Sequence, residues 1–261
     1  HHAHASALAG EHDLDQKMMV FTWDGTGYGE DGTIWGGETL VGSPGHWQRA
    51  ASFRPFSLLG GEKASREPWR CALSACWEQG LEWSDCGHDI ALLKHAWQQN
   101  INCPRTSSVG RLFDAAAALI GLGQYSSYEG HVAMQMEAIS RAGAEAIALP
   151  LTENSMATLI SDWGPLLAFL MDNKIDAVER SSVFHASLVA VITAQAQAIR
   201  KKYNISTVGL SGGVFQNRLL TEQSLFELEQ QGFDVYLHKD IPCGDGGISF
   251  GQIIEAGTTD R

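Results

Sequence analysis

Several groups of residues in this sequence are of types that bind metal ions or phosphate. The first is the N-terminal stretch HHAHASALAGEH, in which four of the ten histidines fall within twelve residues. If this stretch is helical, His1 and His4 lie on one face, at a spacing that a metal ion can bridge. Consecutive histidines at a terminus are also typical of a purification tag. Because Ala interrupts the run and an apolar helical pattern follows directly, we favour a metal-binding helix.

A glycine-rich segment, WDGTGYGEDGT, follows an apolar run and offers a second candidate site. Its Gly25, Thr26 and Gly27 are suited to wrapping phosphate oxygens, and Asp24 supplies an oxygen ligand for a divalent ion. Hairpin turns also favour Asp-Gly, so a purely structural turn is the alternative for this segment.

Two further segments join an apolar strand to a helix through glycines, LSGGVFQNRLL and PCGDGGISFGQ. Gly212 and Gly213 let the backbone approach a ligand, and the helix that follows favours an anion at its N-terminus. Asn217 is placed to hydrogen-bond a ribose or base. Asp245 and Gly246 fit a metal- or phosphate-facing turn, although Asp245 could equally cap the last helix.

Weaker candidates lie in the middle of the chain. Asp114 and Glu129 precede or lie in helices and could contact a nucleotide sugar, but carboxylates near a helix N-terminus often only favour its dipole. His185 lies in an apolar helix and is expected to be a hydrogen-bonded core residue. Cys243 could be a nucleophile, yet an unpaired cysteine is more often inert packing.

The pattern around these residues is that of an α/β protein. We predict a hairpin with Asp24–Gly27 at its turn, mostly helical structure from Trp69 to about Ala142, and a strand in SMATLI. Helices are predicted in GPLLAFLMDN, SSVFHASLVAVITAQAQAIRKKY, Phe215 to Gln230 and after PCGDGG, with strands in ISTVGL and DVYLHK. Glycines at the strand ends suit α/β architecture.

Composition narrows the classes of protein. The 261 residues carry a formal charge of −12, which argues against binding to a nucleic-acid backbone. The sequence has no continuous apolar stretch of the roughly 18 residues that a membrane span needs. Five cysteines without a C-x-x-C pair suit a reducing cytoplasm, and we see no signal peptide. A chain that begins in mid-motif without Met is expected to belong to something longer.

Taken together and in this order, the segments resemble the C-terminal, TsaD-like part of the HypF carbamoyltransferases, which mature [NiFe] hydrogenases. HHAHASALAGEH resembles the end of the family's HHHAH motif, and the other matching segments are FTWDGTGYGEDGTIWGGE, SSVGRLFDAAAALIG, YEGHVAMQME, LSGGVFQNRLL and PCGDGGISFGQ. The match extends from the first residue to about Gln252. The resemblance implies an actin-like α/β fold of the ASKHA, ribonuclease-H-like type that binds a nucleotide.

The resemblance also implies a reaction. ATP and carbamoyl phosphate would form carbamoyl adenylate at a YrdC-like domain, and this lobe would pass the carbamoyl group to the C-terminal Cys of HypE. The product would be dehydrated later to a cyanide ligand of the hydrogenase. Without the family's other domains, this chain alone is not expected to complete the overall reaction.

Matched to the family motifs, a small set of residues receives roles. His4, Asp24 and Asp245 are the implied metal ligands, and the two carboxylates are the implied catalytic residues. The implied nucleotide contacts are Gly25, Thr26, Gly27, Asp114, Glu129, Gly212, Gly213, Asn217 and Gly246. Histidine with carboxylates suits Fe(II) or Zn(II) better than Mg(II), which could still accompany the nucleotide. The usual partner of His4 would fall just before His1, so we expect this chain to bind the metal weakly.

The expected organisation is a metal-binding helix end over residues 1–15 and a nucleotide-binding lobe over 16–261, with a helical insertion at about 65–145. Three alternatives of function stay open here. One is a related ASKHA carbamoyl or threonylcarbamoyl transferase with another acceptor. Another is a sugar- or acetate-kinase-type ATP-binding lobe, although such kinases do not need the histidine cluster. The third is a non-catalytic ATP-binding scaffold whose lobe motion regulates a partner.

Overall fold

A computed structural model of the chain describes residues 1–83 and 90–258. Strands form one mixed sheet in the order β6-β7-β3-β2-β1-β8-β9, with β5 pairing with β2 and β4 at its side. The strands are β1 Met18–Tyr28, β2 Ile34–Gly42, β3 Gln48–Phe53, β4 Phe56–Ser57, β5 Arg105–Thr106, β6 Leu151–Glu153, β7 Leu159–Ser161, β8 Thr207–Ser211 and β9 Asp234–Leu237.

Ten α-helices are found in the described residues. They are α1 His2–Glu11, α2 Lys63–Arg66, α3 Pro68–Glu78, α4 Ala91–Gln98, α5 Val109–Ile120, α6 His131–Ile139, α7 Gly164–Met171, α8 Ala177–Tyr203, α9 Arg218–Gln230 and α10 Ile248–Thr258. Side-chain caps fix several starts: Ser108 accepts from Arg111 N, Asp176 from Glu179 N and Asn217 from Leu220 N. Such caps satisfy N–H groups that have no partner within the helix.

The hairpin of β1 and β2 forms as predicted, but its turn lies elsewhere. The strands pair antiparallel from Met18 opposite Gly42 to Tyr28 opposite Ile34, with a register shift between Trp23 and Gly27. Asp24–Gly27 therefore lies inside β1 at an irregularity, and the prediction that it forms the turn is wrong. The chain reverses over residues 29–33, where a second Asp-Gly pair stands and Asp31 accepts from the Thr33 N–H at 3.1 Å.

Parallel pairing brings two of the glycine-rich segments together. β8 lies parallel to β1, with Thr22 opposite Ser211, and β9 lies parallel to β8. The carboxyl ends of neighbouring parallel strands share one edge of the sheet, so Asp24 and Gly212 emerge side by side. In open α/β sheets that edge is the usual place for a ligand.

The hydrophobic core covers the two faces of the sheet. One large buried cluster holds Phe21, Trp23 and Phe53 together with side chains of α3, α5, α7 and α8. A smaller cluster under α1 contains Leu8, Val20 and Leu40. Since α5 packs directly against β1 and α3, this helix is part of the main core. Whether the section at about 65–145 is an insertion stays a prediction.

The remaining predicted elements are found with shifted bounds. The helices predicted after residue 163 and the strands in ISTVGL and DVYLHK are confirmed, whereas the SMATLI strand is reduced to Leu159–Ser161. Strand β3 and the short strands β4, β5 and β6 were not predicted. Helix α8 is long and apolar enough to cross a membrane by length and composition, but most of its apolar window is buried inside the protein, as in a core helix.

Candidate functional site

Two loops and a segment of β1 meet at the carboxyl edge of the sheet. Gly212 N donates to the Cys243 carbonyl oxygen at 2.8 Å, which joins the LSGG and PCGDGG segments. A Cβ atom on Gly213 would lie 2.8 Å from Asp24 Oδ1 and would force the Asp24 carboxylate to shift, so glycine favours this close approach of the LSGG loop. Gly212 has a φ of +98° and packs against the backbone of Trp23. The sequence thus encodes the contact between these loops through glycine.

The three predicted metal ligands come together from three distant parts of the chain. His4 Nε2 lies 3.1 Å from Asp24 Oδ2 and 3.9 Å from Asp245 Oδ1. One ligand atom from each residue lies within 4.8 Å of the other two. His4 and Asp24 are buried, whereas the Asp245 side chain is 73% exposed and opens the cluster to solvent.

The protonation of this cluster suits a cation. Burial raises the pKa of Asp24, but contacts with His4 and the backbone N–H groups of Gly25 and Gly213 lower it further, so its net pKa lies below the usual carboxyl value. An ionised carboxylate beside an imidazole nitrogen is the mixed donor set that Fe(II) and Zn(II) accept. These residues therefore fit the metal that the sequence predicts.

A cleft of about 500 Å³ extends from this cluster. A volume of this size is that of a small-molecule or cofactor site. Its lining residues come from β1, the loops after β8 and β9, helices α5 and α6, and the two residues before α6: Asp24, Gly25, Gly110, Arg111, Phe113, Asp114, Glu129, Gly130, Ala133, Met134, Glu137, Gly213, Val214, Gln216, Asn217, Gly244, Asp245 and Gly246.

Most predicted nucleotide contacts border this cleft. They are Gly25, Asp114, Glu129, Gly213, Asn217 and Gly246, and their contact with a nucleotide stays a prediction. Asp114 is buried in an ion pair, with its Oδ2 3.0 Å from Arg111 Nη1. Burial raises the pKa of Asp114 to about 6, although the Arg111 charge lowers it.

Asn217 is tied to His185, the histidine expected in the core. His185 is buried and its Nδ1–H donates to the Ser181 carbonyl oxygen, so that Nε2 accepts from Asn217 Nδ2 at 2.9 Å. Asn217 Oδ1 meanwhile accepts from Leu220 N at 2.9 Å. Burial lowers the pKa of His185 to about 4, which keeps the ring neutral near neutral pH. The amide is thus held by two fixed bonds while it borders the cleft.

Three predicted nucleotide contacts do not line the cleft. Thr26 is exposed on β1, and a Cβ atom on Gly27 would meet the ring of His1 at 2.1 Å. Thr26 and Gly27 lie further along β1, beyond the cleft, whereas Gly212 lies after β8 and packs against the backbone of Trp23. The geometry gives no support to a role for these three residues in the cleft.

Other residues at or near the site were not predicted from the sequence. Arg111 lines the cleft, and its signal was the three-residue spacing to Asp114 on one helix face. Ser108 Oγ donates towards the carbonyl oxygens of Asp24 and Gly25, at 2.7 and 2.8 Å, and holds this loop on α5. Glu38 is buried and accepts from the N–H groups of Gly36 and Gly37.

A second missed group joins α1 to the loop after β9. Glu11 Oε2 accepts from His238 Nδ1 at 2.8 Å, and Glu11 Oε1 accepts from the backbone N–H groups of residues 239–241. His238 Nε2 lies 2.9 Å from Ser211 Oγ, which in turn lies 3.1 Å from the His4 carbonyl oxygen. This network connects the helix that carries His4 with the loop that leads to Asp245.

Fold and site define a mixed α/β domain with a metal-type ligand cluster beside a nucleotide-sized cleft. A family model described as "Carbamoyltransferase, Kae1-like Domain, second subdomain" matches residues 20–252. The chain belongs to this Kae1-like carbamoyltransferase family, and its predicted fold is confirmed.

Individual relatives agree with this assignment. The chain is 35% identical to "Carbamoyltransferase HypF" of Synechocystis sp., over 97% of this chain and 36% of the relative. It is 32% identical to "Carbamoyltransferase HypF homolog" of Cupriavidus necator, over 97% of this chain and 68% of that protein. A solved structure, full-length HypF in the phosphate- and nucleotide-bound form, superposes with a TM-score of 0.91 at 32% identity and covers 99% of this chain and 35% of that one. The chain thus spans about a third of the Synechocystis relative and of this solved protein.

Proposed function

We propose that this chain is the carbamoyl-transfer unit of a cytoplasmic HypF-type carbamoyltransferase. In this proposal the cleft binds carbamoyl adenylate, which a YrdC-like domain of the full-length protein makes from ATP and carbamoyl phosphate. The carbamoyl group passes to the C-terminal Cys thiolate of HypE, for the cyanide ligands of [NiFe] hydrogenase. The observation that carries the proposal is the placement of the His4, Asp24 and Asp245 cluster at one end of a nucleotide-sized cleft.

In this reaction the chain needs mainly to orient the carbamoyl donor and to stabilise the charge that develops on the leaving phosphate. The acceptor thiolate attacks the carbamoyl carbon, a C–S bond forms, the bond from that carbon to the phosphate oxygen breaks, and AMP leaves with the electron pair. A mixed anhydride is already activated, so holding it in place supplies much of the rate. A divalent ion held by His4, Asp24 and Asp245 would supply Lewis-acid stabilisation of the departing phosphate.

Within the described residues, three cysteines have environments that disfavour a role as the nucleophile. Cys71 and Cys76 are buried, and burial raises the pKa of Cys76 to about 12. Burial also raises the pKa of Cys243. A thiol with a raised pKa holds little thiolate at neutral pH. Cys86 lies outside the described residues. An acceptor that brings its own thiolate agrees with these environments.

The proposal is tested by acceptor chemistry. Full-length protein incubated with carbamoyl phosphate, ATP and a peptide ending in Cys should produce AMP and a thiocarboxamide on that Cys, detected by mass spectrometry. A peptide ending in Ser is the matched control. Transfer to a sugar or to tRNA in place of the thiol would favour a related transferase with another acceptor, and phosphorylation of a sugar or acetate would favour a kinase. Either result would contradict the proposal.

A further inference from the structure

The cleft is strongly acidic but contains one buried cation. Among its described lining residues are five carboxylates, on Asp24, Asp114, Glu129, Glu137 and Asp245, and a single cationic side chain. That cation is Arg111, which is 7% exposed. An anionic ligand entering such a cleft would be repelled by its walls except next to Arg111 or beside a bound metal ion.

Within the described residues, the Arg111 guanidinium group has an N–H group that donates to no protein acceptor. Its Nη1 lies 3.0 Å from Asp114 Oδ2 in an ion pair, but the buried Nε has no hydrogen-bond partner within the described part of the chain. Buried guanidinium N–H groups are normally satisfied, and leaving one unpaired is costly. An oxygen of a bound ligand would satisfy it.

Gly25 of β1 borders the cleft directly beside Arg111. A Cβ atom on Gly25 would lie 3.4 Å from Arg111 Nη2 and 3.8 Å from Glu129 Oε1. A side chain at this position would therefore stand beside the guanidinium group. On the other side, α5 begins at Val109 under the Ser108 cap and adds the favourable dipole of a helix N-terminus.

Arg111 also lies between the two ends of the predicted ligand. Its ion-pair partner Asp114 is the predicted ribose contact, and Gly25, beside its Nη2, directly follows the metal-site residue Asp24. In a nucleoside monophosphate the phosphate is attached to the ribose and would face the metal. The position of Arg111 thus matches that of the phosphate.

We propose that Arg111 binds the phosphate oxygens of the adenylate and of the AMP that leaves. This inference rests on the proposed function, because it assigns the phosphate subsite of the same cleft. Arginine is suited to this task, since its planar fork of N–H groups can pair with two phosphate oxygens.

The test compares AMP with adenosine, which lacks the phosphate. Both are titrated into the purified chain with EDTA present, so that no metal contributes, and affinities are measured by calorimetry or equilibrium dialysis. Arg111→Met should lower the affinity for AMP about tenfold or more and change that for adenosine less than about twofold. Arg111→Lys keeps the positive charge but lacks the planar pair of N–H groups. It should therefore give an intermediate loss of affinity for AMP and no loss of affinity for adenosine.

Two further variants separate phosphate binding from folding. Gly25→Ala leaves Arg111 in place but puts a methyl group beside its Nη2 at ordinary contact distance. This variant should therefore also lower the affinity for AMP and leave the affinity for adenosine unchanged. Arg49→Met removes a cation that pairs with Asp31 at 2.7 Å outside the cleft, and should leave both affinities unchanged.

The outcomes distinguish the two proposals. Wild-type protein that binds neither ligand would contradict the proposed function itself. Wild-type protein that binds both, together with an Arg111→Met variant that loses AMP and adenosine equally or loses neither, would overturn only the role of Arg111.

Discussion

At the scale of single residues, the site depends on side chains whose partners are far away in sequence. His4 contacts Asp24 across twenty positions and lies 3.9 Å from Asp245, which is near the other end of the chain. Each residue alone has an ordinary structural explanation, as a tag histidine, a turn aspartate or a helix cap. Their convergence on one small volume is what makes metal binding the better interpretation.

The metal site gives a prediction at this scale. The chain equilibrated with Zn(II) or Fe(II) should bind the metal at least about tenfold more tightly than the variant His4→Gln, Asp24→Asn, Asp245→Asn, because the variant loses its imidazole and both anionic ligands. The measurement is competition with a chelator of known affinity. His131→Gln, which removes a histidine outside the cluster, should behave like wild type. Equal metal content in all three proteins would refute the site.

At the scale of elements, glycines in α10 and β8 allow helix α1 to pack closely against both. A Cβ atom on Gly251 of α10 would lie 1.9 Å from the Ala3 carbonyl oxygen, and one on Gly209 of β8 would lie 2.3 Å from Leu8 Cδ2. The first contact is with backbone, which cannot rotate away. The close packing of α1 on α10 and β8 is therefore what places His4 beside Asp24.

We expect Gly251→Ala to displace α1 from α10. Overpacking against backbone should lower the free energy of unfolding by about 2–3 kcal/mol, and should weaken metal binding because His4 moves with the helix. Gly257 is the matched control on the same helix, since a Cβ atom there meets nothing within 4 Å. Gly257→Ala should raise stability by up to about 1 kcal/mol through helix propensity. Urea unfolding of both variants is the measurement, and similar stabilities would show that the contact does not matter.

At the scale of the whole molecule, Glu11 links the N-terminal helix to the loop that precedes the last helix. Burial raises the pKa of Glu11, but hydrogen bonds from the backbone N–H groups of residues 239–241 and from His238 lower it by more. The net pKa is about 2, below the ordinary value of 4.5. A depressed carboxyl pKa stabilises the folded state above the unfolded pKa, and the stabilisation is lost as the pH falls through the folded pKa. This contribution should therefore be complete above about pH 4.5 and decline towards pH 2.

Glu11→Gln should be less stable than wild type by about 1–3 kcal/mol at neutral pH, as expected for lost hydrogen bonds to a charged group. The difference should shrink as the pH is lowered from 4.5 towards 2, because wild-type Glu11 becomes protonated as well. Denaturant unfolding at a series of pH values measures it. Glu145→Gln, at an exposed position, should show no such difference. A pH-independent gap for Glu11→Gln would mean that its charge is not responsible.

The amino-acid sequence by itself determined the class of this protein. Spacing of apolar residues gave the long helices and the buried strand in ISTVGL, because amphipathic periodicity is a local property. The motifs predicted His4, Asp24 and Asp245 as metal ligands, because residue type and residue order can be compared without a structure. For the same reason, the motifs also indicated that the chain belongs to the Kae1-like carbamoyltransferase family.

Only the tertiary structure decided which residues of those motifs face the cleft. Asp24–Gly27 has the local pattern of a turn, but in the fold it lies inside β1, with Thr26 exposed and Gly27 paired with Trp35, whereas Asp24 stays at the site. The short strands β4 to β6 exist through pairing alone and have no local signal. Arg111 has its ion-pair partner Asp114 three residues away on the same helix, but its position in a cleft lined by further carboxylates depends on other elements of the fold. Burial and charge environment are sums over the whole fold, and no window of sequence contains them.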